Sequence, residues 1–128
     1  METFSPPPQT LKARRNLYYT NDYEWIEFQG SVAYIGLCAS KLAGIKEIDT
    51  IEFSRENNTK KSGEIIASII YEDYKIDVHM PVSGCIVFYN AAILAGDKNI
   101  VLHEPETKGY IALIFPSFPY DRSGLVTS

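Results

Sequence analysis

The stretch from Ile65 to Met80 constrains the fold most tightly, because two different side-chain patterns flank one short polar turn. Ile65 to Ile70 is apolar on both parities, as expected of a strand covered on two faces. The turn Tyr71-Glu72-Asp73-Tyr74-Lys75 follows. The chain then returns with Ile76, Val78 and Met80 on one parity and Lys75, Asp77 and His79 on the other. Successive strand side chains point to opposite faces, so the return strand has a buried side and a solvated side, with Lys75 facing outward.

Strand signals continue on either side. Tyr23-Glu24-Trp25-Ile26-Glu27-Phe28 reads as a half-buried strand, Gln29-Gly30 as its turn, and Ser31 to Leu37 as the return of a hairpin. Ile48 to Phe53, Ile86 to Tyr89 and Gly109 to Ile114 read as further strands, and Arg55 to Ser62 as a polar loop. Ala39 to Gly44 and Asn90 to Ala95 suit short helical turns. Many short strands without a long helix predict an all-β sandwich or small barrel. With 128 residues and 45% hydrophobic content, the chain supports one core and not two. Pro6, Pro7 and Pro8 lack amide donors and fix φ, so residues 1–16 are expected to be a disordered tail. Residues 17–114 form the body, and 115–128 a tail broken by Pro116 and Pro119.

Composition removes several functional classes. A net charge of −4 disfavours nucleic acid, whose phosphates need a basic field. No apolar stretch approaches the roughly 18 residues of a membrane span, and the proline-rich start does not read as a signal peptide. Cys38 and Cys85 lie outside any CxxC pair and are expected to be free thiols, which places the chain in a reducing cytoplasm. His79 shares strand parity with Cys85, and His103 neighbours Glu104 and Glu106, but neither arrangement has a metal-site spacing. No serine sits in a nucleophile elbow, so neither a metal nor a catalytic site is expected. Tyr71, Glu72 and Tyr74 are the candidates for a protein contact, because amphipathic rings beside acidic groups on a projecting turn suit one. Simple cross-strand packing of the two rings is the competing account.

Six motifs, in order, add a family. Tyr19-Thr20-Asn21-Asp22-Tyr23-Glu24-Trp25-Ile26, Tyr34-Ile35-Gly36-Leu37, Gly63-Glu64, Pro81-Val82-Ser83-Gly84, Asn90, and Glu104-Pro105 with Gly109-Tyr110 resemble the glycine cleavage system H protein. The resemblance covers roughly Tyr18 to Ile114. It implies a barrel-sandwich hybrid with short helical turns, in which one hairpin projects a lysine that carries a swinging lipoyl arm. It departs from the family in its tail, where proline-broken sequence stands in place of a closing helix.

The second departure is at the hairpin tip. In the family's pattern the lysine lies ten residues beyond the glycine of Gly-Glu and eight before the proline, and both counts fall on Asp73. A family aspartate four residues later falls on Asp77. A carboxylate cannot form the amide that tethers lipoate. Lys75 offers another register: Glu72 lies three residues before it, the family's local spacing, and a two-residue shift of the turn preserves parity. The first register implies a non-enzymatic H-protein-like module without a cofactor, binding glycine cleavage components or a lipoate ligase. The second implies a functional carrier with lipoate on Lys75.

Overall fold

A computed structural model describes residues 15–117 and 124–127 of the chain. Its strands are β1 (Leu17–Tyr19), β2 (Glu24–Gln29), β3 (Val32–Leu37), β4 (Thr50–Phe53), β5 (Thr59–Lys60), β6 (Ile65–Tyr71), β7 (Tyr74–His79), β8 (Gly84–Tyr89), β9 (Ala112–Pro116) and β10 (Val126–Thr127). Two short helices, α1 (Ala91–Leu94) and α2 (Ile100–His103), and a 3-10 turn at Ala39–Leu42 complete the described elements. One sheet runs β10-β1-β2-β3-β9-β8-β5 and the other β4-β6-β7. All the pairings are antiparallel. The expected all-β architecture is therefore present, with the sheets facing each other and not closing into a barrel.

Inward side chains of both sheets build one core: Ile26, Phe28, Ile35 and Ile114 from the larger sheet meet Ile66, Ile69 and Val78 from the smaller. β6 is buried on both faces through Ile66, Ala67, Ser68 and Ile69, as its apolar residues on both parities require. β7 keeps its alternation: Val78 is buried and Lys75 exposed. The helical turn after β8 begins at Asn90, which is 3% exposed. Its carbonyl oxygen accepts from the Ala92 N–H (2.9 Å), while its amide donates to the Lys108 (2.9 Å) and Tyr110 (2.8 Å) carbonyls. Asn90→Ala removes a helix cap and leaves two carbonyls without their donor, and is expected to cost about 2 kcal/mol in urea unfolding.

Four expectations need correction. β2 is not half-buried: Glu24, Trp25 and Ile26 are all buried, because loop segments cover its outer side. The turn after it centres on Gly30, with Gln29 already paired to Val32. The polar stretch 55–62 contains β5, which pairs with β8, and Lys60 is buried with its ammonium 2.7 Å from Ser54 Oγ. The body also exceeds 17–114. Arg15 and Asn16 already bond to it, the Arg15 guanidinium to Glu27 and the Asn16 carbonyl to the Phe28 N–H. β9 runs through Ile114 to Pro116, and β10 pairs with β1. Residues 1–14, 118–123 and 128, where most of the expected tails lie, fall outside the described residues. α2 has no counterpart in the sequence reading, since four residues are too few to show a helical period. Among the described residues no helix is long and apolar enough to cross a membrane.

Candidate functional site

The β6–β7 hairpin is the candidate site, and its ladder fixes what its end presents. Tyr71 pairs with Tyr74, Ile70 with Lys75 and Ile69 with Ile76, which leaves Glu72 and Asp73 as the two residues of the turn. Glu72 has φ 54°, the positive first position of a primed hairpin turn, usually given to glycine. The strained residue is held by Asp49, whose carboxylate accepts the Glu72 N–H at 2.8 Å. Asp49 in turn donates its own N–H to the Ile70 carbonyl (2.8 Å), so the approach to β4 braces the tip.

Asp73 and Lys75 are both exposed, but they differ in footing. Asp73 is at the turn, whereas Lys75 is inside the ladder, on the face shared by Asp77. Asp77 is tied down, accepting from Ser68 Oγ at 2.8 Å. The Tyr71 and Tyr74 rings pack across the strands, with centroids 5.5 Å apart and planes 31° apart, yet Tyr74 stays 61% exposed. Cross-strand packing and an accessible apolar surface therefore coexist at the tip.

A second cluster lies at the other end of β7. His79 Nδ1 is 2.9 Å from Glu24 Oε2 and 3.7 Å from Asp22 Oδ2. Glu24 reaches this point from a turn in which Thr20 Oγ1 accepts the Glu24 N–H (3.3 Å) and Tyr23 adopts φ 59°. Lys41 spans the group, donating to the Asp22 carbonyl (2.7 Å) and to Glu24 Oε2 (3.3 Å). Although His79 lies on the solvated parity of β7, it is the partner of a buried carboxylate. Its strand parity with Cys85 brings no contact, because β7 and β8 belong to different sheets. The only sequence signal for the cluster is a glutamate amid the apolar residues of β2, and nothing in sequence ties it to residue 79.

The two cysteines are free. Burial, helped by the Glu106 and Glu24 carboxylates, pushes the Cys38 thiol up to about 11, so it is no nucleophile at neutral pH.

The family model described as glycine cleavage H-protein matches residues 17–128. The chain is 29% identical over 112 residues to a glycine cleavage system H protein of Bacteroides fragilis, with 88% of each chain covered. It is 33% identical over 106 residues to a protein of the same name from Clostridium botulinum, covering 81% of this chain and 78% of that one. The crystal structure of a glycine cleavage system H protein from Mycobacterium marinum matches with a TM-score of 0.74 at 21% identity, covering 90% of this chain and 92% of that one. At that identity the likeness concerns the fold, and it agrees with the barrel-sandwich hybrid expected from sequence.

Proposed function

The chain belongs to the glycine cleavage H-protein family, and from that membership we propose that it is a protein-binding or regulatory module presenting Asp73 where the family carries its lipoyl lysine. H proteins carry a group between enzymes and do not themselves catalyse, so the module is non-enzymatic. Its partners are glycine cleavage components or a lipoate ligase, met by Tyr71, Glu72 and Tyr74 at the hairpin end. It works without a cofactor, in the cytoplasm.

The observation that supports this reading is the two-residue turn. The projecting end of the hairpin carries Glu72 and Asp73, and the ladder is already closed at Tyr71 and Tyr74. Neither turn residue has a nucleophilic amine. A second reading keeps the carrier function through Lys75; what favours it is that Lys75 is exposed and lies two residues from the tip, with Glu72 three positions before it.

Co-expression with a lipoate ligase and lipoate, followed by intact mass and peptide mapping, separates the two. The expected result is an unmodified mass under conditions that fully label an authentic H protein. A lipoyl increment on Lys75, abolished by Lys75→Arg, would overturn the proposal and establish the carrier.

A further inference from the structure

Asp22, Glu24 and His79 meet at a cleft of about 360 Å³ between the β1–β2 turn and the end of β7. Each places a metal-ligating atom within 4.8 Å of the other two. Glu24 is the informative member. Its side chain is only 2% exposed, and its two oxygens are treated unequally. Oε2 accepts the His79 main-chain N–H at 3.0 Å, lies 2.9 Å from His79 Nδ1, and takes the Lys41 ammonium at 3.3 Å. Oε1 accepts no hydrogen bond from any described residue. A buried carboxylate oxygen without a donor is rare in folded proteins unless an ion, a water or a ligand completes it.

We infer that these three side chains form a binding site for a divalent transition-metal cation, with zinc the best chemical fit. One imidazole nitrogen and two carboxylate oxygens are a donor set that zinc accepts, and a three-residue set leaves a fourth position open to the cleft. Bonds of about 2.0–2.2 Å at tetrahedral angles put neighbouring ligand atoms about 3.4 Å apart. The 3.7 Å between His79 Nδ1 and Asp22 Oδ2 lies close to that spacing. Charge agrees as well. Two carboxylates against the one Lys41 ammonium leave the cluster negative, so a dication is attracted, and the metal takes Glu24 Oε1 while Lys41 stays on Oε2. The site is independent of which residue occupies the hairpin tip.

The test uses the full-length chain, free of any histidine tag and stripped with a chelator, titrated with zinc chloride by calorimetry. Cobalt(II) absorption reports the ligand geometry. One saturable equivalent is expected. His79→Ala and Asp22→Asn should each weaken binding at least about tenfold, the effect that losing even an outer hydrogen-bond partner of a metal ligand produces. His103→Ala should leave binding unchanged. Asp22 has a 62% exposed side chain, so its variant tests the site even where His79→Ala fails to fold. Absence of saturable binding, equal affinity in wild type and Asp22→Asn, or loss of binding in His103→Ala would each overturn the site.

Discussion

Asp73→Lys is expected to convert an unlabelled chain into one that a lipoate ligase modifies at residue 73. The change is all-or-none, because attachment requires an amine and aspartate has none. Lysine supplies that amine on a flexible stem of four methylenes, and its charge disappears on acylation. The backbone permits the exchange: the left-handed φ of this turn is at Glu72, so lysine at residue 73 adds no strain there. Residue 73 is exposed, and an exposed substitution away from buried contacts shifts stability by about 0.5 kcal/mol or less. Folded Asp73→Lys protein that refuses lipoate, beside a fully labelled control H protein, would sink the placement of the family's lysine on residue 73.

The largest loss of stability is expected from Trp25→Ala, at about 3–5 kcal/mol. Trp25 is 1% exposed although it lies on the outward parity of β2, and its ring is sealed by three contacts. Its indole N–H is shared between the Leu37 carbonyl at 3.1 Å and the Pro105 carbonyl at 3.0 Å. The Arg15 guanidinium lies 5.7 Å from the ring centroid. Gly36 gives the ring its seat on β3: a Cβ there would come within 2.6 Å of it. Truncation leaves a cavity and frees the loop at Pro105. Against a usual total of about 5–15 kcal/mol, that loss should move the urea midpoint steeply and leave the folded state marginal. A midpoint near that of wild type would show that the loop collapses onto the vacated space.

Some of these features are legible in sequence because they are local. The doubly apolar run of β6 and the alternation of β7 each state their own burial, and the hairpin register then follows from the turn between them. Asn90 likewise announces a helical turn, since a capping amide acts on the very next residues. The tip is legible in part. Counting from both flanks reaches Asp73, but parity is unchanged by a two-residue slip, so periodicity alone leaves Lys75 open. The ladder pairing Tyr71 with Tyr74 is what assigns Glu72 and Asp73 to the turn.

What local pattern cannot carry is contact between distant segments. Trp25 reads as the exposed parity of a strand, and only the loop carrying Pro105 buries it. β10 is only two residues, too short to show a strand period, yet it completes an edge because β1 offers unpaired backbone groups. Glu24 and His79 are 55 positions apart, and neither residue's neighbours encode the other. The sequence by itself determined most of the strands, the hairpin and the family, because side-chain alternation and turn chemistry act over a few residues. Only the tertiary structure brought Asp22, Glu24 and His79 to one cleft, because packing the two sheets face to face joins the start of β2 to the end of β7.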